Sequence, residues 1–229
     1  MAALTYLQLA QKLQQKCGVS GSPMTTCQGQ TGENARIAAW IDEAYLNIQQ
    51  VHATWQWMRK VVTFDTIDGQ YSYTPAQCGV TDLAEWKMNS FRRYIVSVGV
   101  RSEVFLSEIE YDTFRDVYIY GNMRLVTGDP ISISQGPDMS LNLGLTPGSV
   151  GYTVVGEYYK EPVSLVDDTD TPEFPARFHM LCVYRAMMMY GMYQAANEVY
   201  QEGLSLYNAM IRRMNRDQLE DVTIGSALV

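Results

Sequence analysis

The stretch VVTFDTIDGQYSYT, residues 61–74, decides the fold, because here the spacing of apolar residues changes from helical to alternating. Val61 to Asp65 and Gln70 to Thr74 flank Ile67-Asp68-Gly69, and an Asp-Gly pair tolerates the positive φ of a tight hairpin turn. Further strand-like runs follow at residues 94–100, 124–127, 131–134, 139–143 and 152–159. Gly128-Asp129-Pro130, Gly136-Pro137-Asp138 and Pro147-Gly148 separate them with turn chemistry. Short strands at this spacing argue for an antiparallel sheet, since parallel strands need long crossovers. Two short helices are expected within this region. Asp82 with Glu85, and Ser107 with Glu110, have capping-box spacing, and the second helix would carry Ile109, Phe114 and Val117.

Outward from this region the period is helical on both sides. Tyr6, Leu9, Leu13 and Cys17 define a first helix, and a loop of small residues, 18–32, follows it. Thr31 suits the N-cap of a second helix, whose stripe runs through Ile37, Trp40, Ile41, Ala44, Tyr45 and Ile48 to Val51 and Trp55. After residue 160, Thr171-Pro172 and Pro175 suit a first helical turn, where a missing amide hydrogen costs nothing. Phe178, Leu181, Cys182, Met189, Tyr193 and Tyr200 continue at helical spacing. Gly203 is expected to bend or break this run before Leu204, Tyr207, Ile211 and Met214 resume it. The expected fold is α+β, a helical core of N-terminal and C-terminal helices split by a mostly antiparallel β insertion. Its parts are residues 1–60, a β-rich 61–160, C-terminal helices over 161–216, and an extended tail over 217–229.

Nearly half of the residues are hydrophobic (47%) and only 18% are charged, so a buried core is expected rather than disorder. The net charge of −8 argues against a general DNA-binding module, which needs a basic footprint. An acidic surface still suits the lining of a DNA passage, where repulsion keeps DNA from sticking. Sixteen tyrosines suit surfaces that are wet in a monomer and covered in an assembly, although tyrosine is also common in sheets. Met1-Ala2-Ala3-Leu4 lacks a basic leader, and the most apolar stretch, 180–193, is short and interrupted by Arg185. No membrane association and an intracellular origin are expected. In such a compartment Cys17, Cys27, Cys78 and Cys182 stay reduced, although Cys17 and Cys27 are placed to close a loop.

Catalytic chemistry is hard to find. His52 and His179 lack a second ligand at a metal-binding spacing and read as packed histidines. The glycines Gly18, Gly21, Gly29 and Gly32 follow no strand and precede no Gly-Lys-Ser/Thr, so they read as loop rather than phosphate cradle. Asp65, Asp68, Glu103, Glu108, Glu110 and Asp112 are candidates for a glycosidase pair by location only. Asp167, Asp168 and Asp170 resemble part of a calcium loop but lack its central glycine and final glutamate, and read as a charged linker before a helix. Met187, Met188, Met189 and Met192 read as core filler, and their spread over several helix faces also suits a helix covered in an oligomer. No catalytic residue, cofactor or metal site is expected. The dense basic cluster Arg212, Arg213 and Arg216 has two readings: helix-dipole complementation, or a docking patch for an acidic partner or for DNA in an assembled channel.

In their order these segments resemble the head-to-tail adaptor, or connector, proteins of short-tailed bacteriophages. The likeness covers nearly the whole chain. It is carried by Trp40-Ile41, Trp55-Gln56-Trp57, Gly69-Gln70-Tyr71-Ser72-Tyr73 and Tyr111-Asp112-Thr113-Phe114-Arg115. It continues through GYTVVGEYY at 151–159, Phe174-Pro175-Ala176-Arg177-Phe178-His179-Met180, and Tyr184-Arg185-Ala186-Met187-Met188. The resemblance implies a structural virion protein at the head-tail junction, not an enzyme. Its expected state is a ring, a dodecamer in the family, beneath the portal protein and above tail or nozzle proteins, with DNA passing through unread. The helices would form the ring wall, and the β insertion would face the tail or the neighbouring subunit. The resemblance also gives the C-terminal segment a role against the portal, so Leu219, Ile224 and Leu228 join Arg212, Arg213 and Arg216 as candidate portal or subunit contacts. Two other readings stay open: a different ring-forming tail component (tail-completion or terminator), and a peptidoglycan hydrolase, for which no motif is present.

Overall fold

A computed structural model describes residues 2–219. In chain order its elements are α1 (Tyr6–Lys16), α2 (Gly32–Val51), β1 (Arg59–Asp65), β2 (Ser72–Tyr73), β3 (Leu83–Ile95), β4 (Val104–Phe105) and β5 (Ser107–Glu108). Then follow α3 (Tyr111–Phe114), β6 (Ser132–Gln135), β7 (Leu141–Gly144), β8 (Tyr152–Lys160), α4 (Met180–Tyr193) and α5 (Asn197–Gln218). The fold is α+β. Among the described residues, 2–57 with 162–219 form one compact unit, here the helical unit, and 58–161 form another, the β unit.

In the helical unit, α1 opens on a capping box not anticipated above. The Thr5 hydroxyl accepts from the Gln8 amide (3.3 Å) and the Gln8 side chain accepts from the Thr5 amide (3.1 Å). The orphan amides of Tyr6 and Leu7 donate to the carbonyls of Asp170 (2.7 Å) and Asp168 (3.3 Å), so the acidic linker closes the start of this helix. Thr31 stands at the N-cap of α2 but its side chain caps nothing. The stripe of α2 was expected to reach Trp55, yet the helix stops at Val51 and His52 is extended. Trp55 still packs on that face because the chain folds back: its indole donates to the Ile48 carbonyl (3.1 Å), one of the last four left unpaired by the helix.

The break expected at Gly203 falls instead at 194–196, where Ala195 takes φ 53°. Gly203 lies inside α5 and has another purpose. A Cβ there would stand 2.9 Å from the Tyr184 carbonyl oxygen and 3.0 Å from the Met187 Cβ, so its bare backbone lets α5 approach α4. Pro172 and Pro175 precede the helix rather than open it, and α4 begins at Met180 after a 3-10 turn over Ala176–Phe178.

His179 is a packing residue. Its Nδ1 accepts from the Leu4 amide (3.0 Å) and its Nε2 faces the Phe174 carbonyl (3.0 Å), a pairing that fits one neutral tautomer. Burial holds its pKa below the ordinary 6.5. The unfolded chain therefore takes up a proton that the folded chain refuses. The contribution of His179 is complete above pH 6.5 and is lost as the pH falls towards its depressed folded pKa. We expect the urea midpoint to fall from about pH 7 to about pH 5, and His179→Gln to flatten that slope.

In the β unit the strands form two four-stranded sheets, in the orders β1-β8-β3-β4 and β2-β7-β6-β5. All pairs are antiparallel except β5 with β6. Val62, Phe64, Tyr73, Trp86, Phe91 and Leu141 belong to its core. The expected hairpin forms its turn, with Gln70 bonded to the Ile67 carbonyl (3.1 Å) and Gly69 at φ 76°, but not its ladder. β1 pairs with β8, whereas β2 pairs with β7 in the other sheet. Phe64 and Tyr73, one from each arm, meet with ring centroids 5.1 Å apart and both are buried, so the turn passes the chain from one sheet to the next.

Other local signals gave way to the sheets. Asp82 and Glu85 open no helix, and Leu83–Ile95 is a strand that buries Trp86 and Phe91. The Asp82 carboxylate accepts from Lys60 Nζ (2.6 Å) and the Tyr158 hydroxyl (2.9 Å), and the Lys60 bond above all holds its pKa below the usual range. Ser107 and Glu108 are strand. The helix there starts at Tyr111 and continues as a π-helical turn, Arg115–Ile119, with Phe114 buried. The run at 94–100 is strand only to Ile95, and 124–127 is a 3-10 turn, Asn122–Leu125, followed by one bridge from Thr127 to Thr146.

Candidate assembly surfaces

Four turns gather at one end of the β unit, and backbone bonds stitch them together. Thr66 donates to Tyr152 (2.8 Å), Gly69 to Pro147 (2.9 Å), Val96 to Gly151 (3.2 Å) and Gly128 to Thr146 (2.9 Å). These turns expose aliphatic and aromatic side chains: Leu125 at 88%, Tyr120 at 74% and Val100 at 71%, with Ile67, Val96 and Val150 each more than half exposed. A cleft of about 480 Å³ opens here between Tyr71, Tyr118, Tyr120, Leu125 and Thr146. Its aromatic wall is braced from behind, with Phe114 5.1 Å from Tyr118 and 6.2 Å from Tyr71 between ring centroids.

Arg93 sets the 128–130 turn. Its buried guanidinium donates to the Pro130 carbonyl (2.9 Å) and to Asp129 (3.2 Å), and lies 4.9 Å from the centroid of the Tyr152 ring. Tyr152 donates to the same carboxylate, and burial, reinforced by that bond, pushes its phenol up to about 12. Arg101 and Arg124 are exposed on these turns, and among the described residues neither meets a carboxylate. Apolar side chains rimmed by a few charges are the composition of a protein contact.

In the helical unit, residues 163–173 form a second distinctive surface. Gln49 grips Val163 by both its amide (3.0 Å) and its carbonyl (2.8 Å), and Asp42 accepts from the Leu165 amide (2.8 Å). Asp170 accepts from the amides of Val166 and Asp167, both at 2.8 Å, and those bonds hold its pKa below the usual range. Asp168 accepts from the Cys27 amide (2.6 Å), with the same effect. The three aspartates therefore build a fixed turn, and the described residues contain no group of three or more metal-ligating side chains. Val163 and Val166 (65% exposed) stand out from this linker, and Asp167 accepts from the Gln28 side-chain amide (2.8 Å).

Arg212, Arg213 and Arg216 lie exposed on the last two turns of α5, opposite the buried Ile211 and Met214, and among the described residues none has an ion-pair partner. Leu219 follows the helix and is half-buried. Ile224 and Leu228 lie outside the described residues. Asp217 and Gln218 were expected in an extended tail but are helical, and Asp217 pairs with Arg177.

The remaining candidates are dispersed. Asp65 accepts from Thr153 (2.6 Å), Glu103 pairs with Arg92 (3.3 Å), Asp112 pairs with Arg115 (2.9 Å), and Glu108 is strand. All four cysteines are free, and burial pushes the thiols of Cys17, Cys27 and Cys78 up to about 12, far from nucleophilic. Met187 and Met188 are core, whereas Met192 is exposed beside Tyr193, whose ring lies under the Arg36 guanidinium (4.6 Å) and packs at a tilt against Trp40 (5.6 Å between centroids). No helix among the described residues is long and apolar enough to cross a membrane.

The SU10 adaptor protein family matches residues 4–227. The chain belongs to that family. It is therefore a phage head-to-tail adaptor, a structural component of the virion. No curated protein matches it. Sequence reasoning did not find the adaptor's four-turn end, because residues 94–100 and 124–127 were read as strands and their side chains assigned to a sheet. The available signal was Gly99 within Val96–Arg101, a run of valines interrupted by a residue that here takes φ 74°.

Proposed function

We propose that this adaptor forms a ring beneath the portal protein, twelve copies by resemblance, that extends the DNA channel and gives tail or nozzle proteins a platform. The observation that carries this reading is the four-turn end of the β unit, whose exposed Tyr120 and Leu125 flank a preformed cleft. An adaptor with so much apolar surface is suited to an assembly in which that surface is covered. The net charge of −8 suits a passage through which DNA slides without being read.

Portal attachment falls to Arg212, Arg213 and Arg216 with the segment from Leu219 through Ile224 and Leu228. The three arginines offer guanidinium forks to carboxylates of the portal, and the apolar residues beyond them gain a surface to cover. The test is co-sedimentation with the cognate portal. We expect the full chain to sediment with portal, and a chain ending at Gln218 to stay folded by circular dichroism but remain in the supernatant. Unchanged co-sedimentation of the shortened chain contradicts this assignment.

A further inference from the structure

We infer that His179 is an acid-operated latch: a proton on its ring releases residues 2–5 and leaves α1 in place. His179 is 2% exposed, and the Leu4 amide donates to its Nδ1 (3.0 Å) while Nε2 faces the Phe174 carbonyl (3.0 Å). That pairing uses one ring nitrogen as acceptor and the other as donor, which only the neutral ring provides. An imidazolium donates from both nitrogens, so two N–H groups would then face each other across the Leu4 contact. An amide left there without an acceptor is costly, and either the ring or the segment has to move. The ring packs edge-on to Phe174, 5.5 Å between centroids, whereas Ala2 and Ala3 are exposed. The segment is the part that moves.

α1 is held by bonds that this proton does not touch. The Tyr6 and Leu7 amides donate to the carbonyls of Asp170 and Asp168, and the Tyr6 hydroxyl donates to the Ala38 carbonyl (2.9 Å). Leu9, Ala10 and Leu13 are buried. Backbone hydrogen bonds hold the carboxylates of Asp168 and Asp170 below the usual carboxylate range, so the turn they build keeps its charge while the ring gains its own. The other titratable groups on the elements round His179 are Tyr6 of α1, Asp42 and Tyr45 of α2, Glu173 and Arg177 before it, and Cys182 of α4. Burial pushes both phenols and the thiol up, away from the acid range. Arg177 pairs with Asp217 of α5, Asp42 accepts from the Leu165 amide (2.8 Å), and Glu173 has a partner of its own.

The latch governs a cleft of about 650 Å³. Ala2, Ala3 and Leu4 form one wall of it, and Gln8, Gln11 and Lys12 of α1 form another. With the latch closed that first wall is fixed. With it open the cleft loses a side.

The test is amide exchange by NMR on the full chain between about pH 7 and about pH 4, expressed as protection over the intrinsic rate. Leu4 should lose protection roughly 10-fold or more across that range, with a midpoint matching the titration of the His179 ring nitrogens. Tyr6 and Leu7 should change by less than about 3-fold. His179→Gln keeps an acceptor for Leu4 and a donor for Phe174 but takes up no proton, so Leu4 should stay protected throughout. Glu173→Gln should keep the wild-type pH dependence. Protection at Leu4 that does not follow the ring, or a joint loss at Leu4, Tyr6 and Leu7, overturns the latch. A pH dependence that survives His179→Gln, or is abolished by Glu173→Gln, overturns it too. If His179→Gln does not fold, the comparison of Leu4 with Tyr6 and Leu7 in the wild-type chain still decides.

Discussion

Gly156→Val should destabilise the protein by about 3 kcal/mol or more, although valine is a far better strand former than glycine. Gly156 lies in β8, which is flanked on both sides by strands. The register between β3 and β8 shifts between Lys87 and Arg92, and the irregularity brings the Phe91 ring across the β8 backbone at this position. A Cβ on Gly156 would stand 2.3 Å from Phe91 Cδ1 and 2.4 Å from Cε1. The ring has no free space to move into. Phe91 is fully buried and packs edge-on to Trp86, 5.8 Å between centroids, while the Trp86 indole donates to the Met139 carbonyl (2.7 Å). On an uncrowded strand the same substitution would be neutral or stabilising, so the sign separates the two cases. The check is the urea midpoint by circular dichroism, with Gly156→Ala expected to lie between valine and wild type. An unchanged or raised midpoint contradicts the packing described.

The second large effect is in the helical unit. Trp55→Ala should cost about 3–5 kcal/mol, the range for removing a large aromatic from a core. Trp55 is fully buried beyond the end of α2, with His52 4.9 Å and Trp57 6.4 Å away between ring centroids. Its loss also strips the Ile48 carbonyl of its donor at the place where the helix cannot supply one. Trp55→Phe keeps most of the apolar body and removes the indole N–H, so its cost should be nearer the ~1 kcal/mol of one hydrogen bond plus a small void. Equal costs for the two variants would mean that the indole bond, not the burial, dominates this position.

These two sites mark where the sequence stops being legible. The apolar period of α2, the turn residues around β6, β7 and β8, and the change of period near residue 61 all act locally. They correctly indicate helices on both sides of an antiparallel β region. Gly156 and the strands beside the Ile67-Asp68-Gly69 turn depend on contacts far along the chain, and Trp55 depends on a reversal of the chain that returns it to Ile48. Trp55 has the right period for a helix it does not belong to, because its ring returns by chain reversal. The Asp-Gly turn is local and forms, but the strands it joins have partners more than sixty residues away, Leu141 for Tyr73 and Val154 for Phe64. Asp82 and Glu85 show the same conflict: a capping-box spacing yields to a strand that buries Trp86.

The candidate surfaces divide in the same way. Arg212, Arg213 and Arg216 stand out in the sequence as a cluster and are exposed on α5. The acidic run at 167–170 was recognised as a linker before a helix, but not as a turn folded around its own amides and those of α1. At the four-turn end, Ile67-Asp68-Gly69, Gly128-Asp129-Pro130 and Pro147-Gly148 were legible as turns, but their gathering was not, since they come from separate segments that only backbone bonding unites.

The most direct measurement is light scattering on the full-length adaptor, alone and mixed with its cognate portal. The account predicts one large complex of fixed stoichiometry in the mixture, with adaptor copies matched to portal subunits, whatever the state of the adaptor alone. A folded adaptor whose mass is unchanged by portal at concentrations well above the micromolar range would contradict it.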